Sequence, residues 1–125
     1  MKKYVVTLVL VLAVIIIGFF TFGGAVSGEF DDFAACLAGK NITMYGAESC
    51  SWCQKEKAGF GDAFKLVPYV ECPDEPQKCV AEGIEGTPTW IFPASPAGGP
   101  DGIKLVGYQG LQKLSAASGC ELPQN

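Results

Sequence analysis

The feature that most constrains the fold is a C-x-x-C motif, Cys50 to Cys53, between a predicted strand and a predicted helix. The β-branched and aromatic stretch 41–47 predicts a buried strand. A helix should begin near Cys50 and run to about residue 65, with a bend near Gly59 and Gly61, because each glycine weakens a helix by about 1 kcal/mol relative to alanine. The unpaired N–H groups and positive dipole end of a helix N-terminus favour a thiolate. The placement therefore predicts a reactive Cys50.

The spacing of apolar residues in the rest of the chain predicts an amphipathic helix followed by an α/β domain. The element order β-α-β-α-β-β-α is typical of a compact four-stranded mixed sheet flanked by helices. A chain of 125 residues is long enough for only one such domain. We expect Phe60, Phe64, Tyr69 and Trp90 in its core. The other predicted elements are a helix over 29–39, a strand over 66–72, a helix over 77–82, strands over 89–92 and 103–108, and a helix over 111–118.

The N-terminus predicts a membrane segment. Lys2 and Lys3 precede a nearly unbroken apolar run over 4–22, and its 19 residues would span about 29 Å as a helix. Secretory signal peptides have shorter apolar cores, so we expect an uncleaved anchor, with cleavage after the small residues 25–27 as the alternative. The protein would then be a single-pass cell-membrane protein whose C-terminal domain is extracytoplasmic. The predicted segments are a cytoplasmic stub over 1–3, a transmembrane signal anchor over 4–23, a linker over 24–28 and an extracytoplasmic domain over 29–125.

Composition excludes several kinds of chemistry. The chain has no His, which rules out an imidazole general base and a His-ligated metal. It has 9 Lys, no Arg and a net charge of -4, which argues against a nucleic-acid partner. Six Cys outside the cytoplasm suggest disulfides, with 15 possible complete pairings. We therefore expect sulfur chemistry that needs no cofactor and no metal.

The motif predicts a two-step disulfide exchange. Cys50 attacks a partner and forms a mixed disulfide, and Cys53, which the helical spacing places on the shielded face, resolves it. A proline before the third strand, in Thr87-Pro88, can adopt the cis form and bring backbone close to the disulfide, where it can pair with an extended substrate. Trp52, exposed beside the nucleophile, would contact the same substrate. The predicted site therefore consists of a dithiol and a substrate-binding edge.

Taken together, these motifs resemble a thioredoxin-like domain, and most closely the one attached to bacterial vitamin K epoxide reductase homologues. The resemblance covers roughly residues 30 to 120. It implies an extracytoplasmic thiol–disulfide oxidoreductase that acts on exported cysteine-containing proteins and passes electrons to a quinone-linked membrane oxidoreductase, here a separate protein. The matching residues are Phe33-Ala34-x-Cys36-Leu37, Met44-Tyr45-Gly46-Ala47-x-x-Cys50-x-x-Cys53-Gln54, Val67-Pro68-Tyr69-Val70-Glu71-Cys72, Cys79-x-x-x-Gly83-Ile84, Pro88-Thr89-Trp90 and Ala117-Ser118-Gly119.

The chain departs from the family pattern at three places. Met44 stands where cytoplasmic thioredoxins have a buried acid, and Ser49 replaces the usual aromatic residue before the first cysteine. Ser51-Trp52 stands between the cysteines in place of Pro-His or Gly-Pro. Without the histidine, one stabiliser of the thiolate is absent, so we expect a less oxidising couple than in a Dsb-type enzyme.

The other four cysteines are expected to form two disulfides. Cys36 and Cys120, in the first and last helical regions, could pack side by side and pair. The resemblance implies a second pair, Cys72–Cys79, which we interpret as a structural staple, with a redox relay to the C-x-x-C motif as the alternative. Two other functions remain open. The chain could be a non-catalytic binding or chaperone domain. It could also be a metal-binding module with four thiolates, although the second pair is poorly spaced for zinc.

Overall fold

The computed structural model describes residues 1–22, 28–95, 99 and 101–124, and in the first helix it describes the side chains as far as residue 17. After the first two helices, the strands and α-helices follow the predicted order β-α-β-α-β-β-α, with a 3₁₀ helix directly after the first of these helices. In chain order the elements are α1 (Lys2–Phe22), α2 (Asp31–Gly39), β1 (Thr43–Gly46), α3 (Ser51–Phe60), a 3₁₀ helix (Gly61–Leu66), β2 (Tyr69–Glu71), α4 (Pro76–Ala81), β3 (Thr89–Phe92), β4 (Ile103–Val106) and α5 (Leu111–Ser118).

The four strands form one mixed sheet in the order β2-β1-β3-β4. The pair β1 and β2 is parallel, joined by the α3 crossover, whereas β3 is antiparallel to both β1 and β4. The predicted α/β arrangement, a four-stranded mixed sheet flanked by helices, is therefore confirmed. Because β1 is central, its carboxyl end lies in the middle of one edge of the sheet, and α3 begins there.

Successive side chains of a strand point to opposite faces of the sheet, so the core has one part on each face. On one face, Met44 of β1 and Trp90 of β3 are fully buried against side chains from α2, α3, the 3₁₀ helix and α5. On the other face, Tyr45 and Val70 form a smaller cluster with Cys79 of α4. The helix that begins after Cys50, α3, therefore packs on the larger core through Cys53 and Phe60.

Three element ends differ from the predicted ones for local backbone reasons. The predicted bend near Gly59 and Gly61 occurs at Gly61, where φ is +57° and the chain passes from α3 into the 3₁₀ helix. Strand β2 begins only after Pro68, which lacks the N–H that a ladder needs. Strand β4 ends at Val106 because Gly107 has a φ of +88° and turns the chain.

The membrane prediction is corrected by the structure. In the part of the chain that is described, no helix combines the length and apolarity needed to cross a bilayer. The predicted transmembrane signal anchor over 4–23 and the single-pass localisation are therefore wrong. The alternative cleavage site, 25–27, and all of the predicted linker except residue 28 lie outside the described residues.

Candidate active site

The first cysteine of the motif caps the N-terminus of α3. Cys50 has an extended backbone, and its Sγ accepts a hydrogen bond from the N–H of Cys53 at 3.2 Å. Its own N–H donates to the carbonyl oxygen of Ala47 at 3.1 Å, which closes the turn between β1 and α3. A sulfur in the N-cap position faces the unpaired N–H groups of the first helical turn. The fold therefore stabilises negative charge on the sulfur of Cys50.

The two cysteines of the motif differ in access and acidity. Both are free thiols, Cys50 half-buried and Cys53 with no exposed surface. Desolvation acts to raise the pKa of Cys50, but hydrogen bonds with Cys53, Thr87 and the start of α3 outweigh it and bring the pKa below that of an ordinary thiol. Burial, followed by the hydrogen bond to Cys50, raises the pKa of Cys53. This arrangement gives one accessible thiolate and one protected thiol.

The segment before β3 lies against the accessible sulfur. The Thr87–Pro88 peptide bond is cis, and the carbonyl oxygen of Thr87 is 3.5 Å from Sγ of Cys50. The carbonyl oxygen of Pro88 accepts from the N–H of Gly107 at 2.7 Å, and the Thr89 hydroxyl donates to the carbonyl of Gly86 at 2.6 Å. These bonds tie the segment to its neighbours on both sides, so its position beside the nucleophile is fixed.

An open cleft of about 330 Å³ lies beside this segment, lined by Trp52, Thr87, Pro88, Gly107 and Tyr108. Trp52 is 54% exposed, and its ring lies 5.8 Å from the ring of Tyr108. The ammonium group of Lys55 lies over both rings, at 4.9 Å and 4.8 Å from their centroids. Aromatic groups held in this way offer a contact surface for apolar side chains next to the reactive sulfur.

One wall of the cleft is held by a buried carboxylate. Glu56 of α3 is 1% exposed, and its two oxygens accept the N–H groups of Gln109 at 2.7 Å and Gly110 at 2.8 Å. Gln109 also donates to the carbonyl of Gly107 at 2.7 Å, which tightens the same turn. The carboxylate thus fixes the loop that carries Tyr108 to the helix that carries the cysteines.

A second polar pair lies behind the buried cysteine. The Tyr69 hydroxyl donates a short hydrogen bond to Oε2 of Glu71, whose Oε1 accepts the N–H of Glu48 at 2.7 Å. A Cβ placed on Gly46 would lie 3.1 Å from the Tyr69 oxygen and 3.2 Å from Sγ of Cys53. The absence of a side chain at Gly46 therefore lets the hydroxyl approach the resolving sulfur to within about 6 Å.

The remaining cysteines are joined in two disulfides. The structure bonds Cys36 to Cys120, between α2 and the chain end, and Cys72 to Cys79, across the turn that leads into α4. Within the described residues, no group of three or more Cys, Asp or Glu side chains is placed to hold a metal ion. The four thiolates of a metal-binding module are not brought together, since two of them are bonded to each other.

Comparison with known proteins gives a partial likeness. No family model matches the chain. A segment of the chain is similar to the thiol-disulfide oxidoreductase LTO1 of Arabidopsis thaliana, with 47% identity over 58 residues. The match covers 39% of this chain and 15% of the plant protein, so the chain spans only a small part of that relative. At a coarse level this supports thiol–disulfide oxidoreductase chemistry, whereas the likeness to vitamin K epoxide reductase homologues stays a prediction.

The structure brings the predicted site residues together. Cys50, Cys53, Thr87, Pro88 and Trp52 surround one edge of the sheet within the contacts given above. Of the two predicted disulfides, Cys72–Cys79 begins at the same sheet edge, where the N–H of Cys72 donates to the carbonyl of Gly46 at 2.8 Å, and Cys36–Cys120 joins α2 to the chain end.

Four residues that contribute to the site were given no role in it by the sequence. Tyr108 follows a turn glycine, Glu56 is a charged residue in a helix, Tyr69 was expected only in the core, and Glu71 is a charged residue of the same strand. Two sequence signals point to the last pair: residues two apart on a strand share a face, and both belong to the segment 67–72 that carries the resemblance.

Proposed function

We propose that this chain is a thioredoxin-like thiol–disulfide oxidoreductase that exchanges disulfides with cysteine-containing proteins through Cys50 and Cys53. The observation that carries the proposal is the asymmetry of the dithiol. The accessible sulfur caps a helix and has a lowered pKa, while its partner is fully buried with a raised pKa. Nucleophilic attack needs a thiolate, and resolution needs a second thiol within reach of the mixed disulfide.

The reaction consists of two exchanges. The Cys50 thiolate attacks a disulfide of the partner, forms a mixed disulfide and releases the partner's other sulfur as a thiolate. The sulfur of Cys53 then attacks Cys50, forms the Cys50–Cys53 disulfide, and releases the second partner sulfur with the bonding electron pair. The partner gains two electrons and the motif loses two. Run in reverse, the same steps oxidise a partner dithiol.

The substrate would lie along the edge beside Thr87 and in the adjacent cleft. An extended chain can form main-chain hydrogen bonds to the segment before β3, as peptides do when they add to an exposed backbone edge. Such a chain would place the residue next to its cysteine against Trp52 and Tyr108, which line the cleft. Substrates with apolar residues next to the cysteine are therefore expected to react faster.

The electron partner is proposed only by class. The resemblance implies a separate quinone-linked oxidoreductase, with exported proteins as substrates. The direction of electron flow follows from the reduction potential of the dithiol.

A trapping experiment tests the proposal. Cys53→Ala in the full chain should hold partners as stable mixed disulfides on Cys50, because the resolving sulfur is gone. A peptide with one activated disulfide serves as probe, and intact mass shows the adduct. Cys50→Ala is the matched control and should form no adduct, since Cys53 is buried. Equal adduct formation by both variants, or none by either, would refute the assignment.

The same variants separate this function from a non-catalytic binding domain. A binding domain would retain an unfolded, cysteine-free peptide equally well with or without the sulfur of Cys50. The oxidoreductase should instead lose disulfide exchange completely in Cys50→Ala. The exposed ring of Trp52 favours some peptide contact in either case, so exchange, and not binding, is the deciding readout.

A further inference from the structure

We propose that Tyr69 and Glu71 form the path by which the resolving thiol of Cys53 loses and regains its proton. This inference rests on the proposed function and adds to it. Resolution requires Cys53 to give up its proton, and oxidation of a partner requires Cys53 to take one back. Cys53 has no exposed surface, so neither event can rely on direct contact with bulk water.

The path begins where the strand β1 lacks a side chain. Gly46 leaves room for the Tyr69 hydroxyl, and both that oxygen and Sγ of Cys53 lie just over 3 Å from the position of the missing Cβ. The gap between the two atoms is one that a small side-chain rotation or a single water molecule can bridge. Met44, on the same strand, is fully buried and apolar and cannot take the proton.

The path ends at the surface. The Tyr69 hydroxyl donates to Glu71, whose carboxylate lines an open cavity of about 450 Å³ together with Glu48, Ser49, Pro73 and Asp74. Glu71 therefore connects a hydroxyl next to the buried thiol with solvent. The carboxylate has to hold a proton only briefly, because its outer side is open to water.

Charged neighbours favour the required protonation states. The hydrogen bond from the Tyr69 hydroxyl lowers the pKa of Glu71 most, and the hydrogen bond from the Glu48 N–H and the charge of Lys57 lower it further. Glu71 is therefore an ionised proton acceptor. Burial, and then the bond to Glu71, raises the pKa of Tyr69, which stays neutral and carries a transferable proton. The ammonium group of Lys57, on α3, lies 3.8 Å from the centroid of the tyrosine ring. Cys50 is the other titratable group that faces Tyr69.

One proton and one electron pair move during resolution. As Cys53 attacks the mixed disulfide, its S–H bond breaks and its proton passes to the oxygen of Tyr69, while the tyrosine proton passes to Glu71 and then to water. The Cys50–partner bond breaks, the Cys50–Cys53 bond forms, and the partner sulfur leaves with the electron pair. The path conducts the proton in the opposite direction when the motif is reduced.

Stopped-flow kinetics with an aromatic disulfide test the path. The full chain, reduced only at the C-x-x-C motif, is mixed with 5,5′-dithiobis(2-nitrobenzoate), and the thiolate that it releases is followed by absorbance. The first release reports attack by Cys50 and the second reports resolution by Cys53. At pH 7 we expect Tyr69→Phe and Glu71→Gln to slow the second phase about tenfold and to leave the first within twofold. The slowing should shrink to within twofold at pH 10, because a larger share of Cys53 is then ionised before it attacks and fewer attacks need the path.

A matched control distinguishes the path from general effects. Glu48→Gln removes a carboxylate from the same cavity but keeps the backbone N–H that binds Glu71, so its second phase should equal that of the unmodified chain. The inference is overturned if both variants resolve at the normal rate, if Glu48→Gln is equally slow, or if the slowing is the same at every pH. Absence of the first phase in the unmodified chain would overturn the proposed function as well.

Discussion

Replacing Glu56 by glutamine should destabilise the fold although the two side chains have the same shape. Both carboxylate oxygens accept backbone N–H groups, from Gln109 and Gly110, and the residue is 1% exposed. Hydrogen bonds to a charged group contribute about 1.5–3 kcal/mol each, and neutral ones about 0.5–1.5 kcal/mol. Glutamine keeps one neutral acceptor and turns an NH₂ group toward the second N–H. The expected loss in the free energy of unfolding is therefore about 2–4 kcal/mol.

Urea unfolding of the full chain, followed by circular dichroism, measures this loss. The matched control is Glu121→Gln, which makes the same change of charge at an exposed position and should cost less than about 0.5 kcal/mol. The loop anchored by Glu56 carries Tyr108, so the variant should also react more slowly with peptides that have an aromatic residue beside the cysteine. A loss below about 1 kcal/mol, or one no larger than the control's, would refute the role given to the carboxylate.

Three further predictions concern the sulfurs and the strand beside them. The Cys36–Cys120 disulfide closes a loop of 84 residues, and Cys72–Cys79 closes a loop of 7. Replacing both cysteines of a pair by alanine should lower the free energy of unfolding in urea by about 4.5 kcal/mol for the first pair and about 2.4 kcal/mol for the second. Equal losses for the two pairs would contradict the loop-entropy account. Alkylation by iodoacetamide should modify Cys50 first, with a midpoint pH below that of an ordinary thiol because its pKa is lowered, and a higher midpoint would contradict the capping argument. In Gly46→Ala, the added Cβ would lie 3.0 Å from the ring of Tyr69. The free energy of unfolding should fall by about 1–3 kcal/mol in the same assay, and an unchanged midpoint would show that the strand accommodates the methyl group without strain.

Much of the fold follows from local patterns in the sequence. Helix α5 begins and ends where its apolar spacing and the following Gly119 predict, at Leu111–Ser118. The strand before Cys50, the helix after it and the N-cap at Cys50 all depend on residues that are close to them in the sequence. Where the prediction was too long, as for the strand over 66–72, the limit came from backbone chemistry at Pro68.

The unpredicted parts of the site depend on contacts between distant segments. Glu56 would ordinarily face solvent on a surface helix, and it is buried only because a loop more than 50 positions later brings two N–H groups to it. Tyr69 was expected in the core, but its hydroxyl finds Glu71 because both lie on the same face of β2 next to a glycine. Neither arrangement can be recognised from the local sequence, because each depends on which segments the sheet order brings together.

The reduction potential of the C-x-x-C pair tests the central claim most directly. The full chain is equilibrated across glutathione redox buffers, and the free thiols are counted site by site through alkylation and mass. We predict that Cys50–Cys53 alone titrates, between about -120 and -270 mV, the range of known thiol–disulfide oxidoreductases, while Cys36–Cys120 and Cys72–Cys79 stay oxidised throughout. If Cys50 and Cys53 also stay oxidised below about -300 mV, as structural disulfides do, the account of this site is wrong.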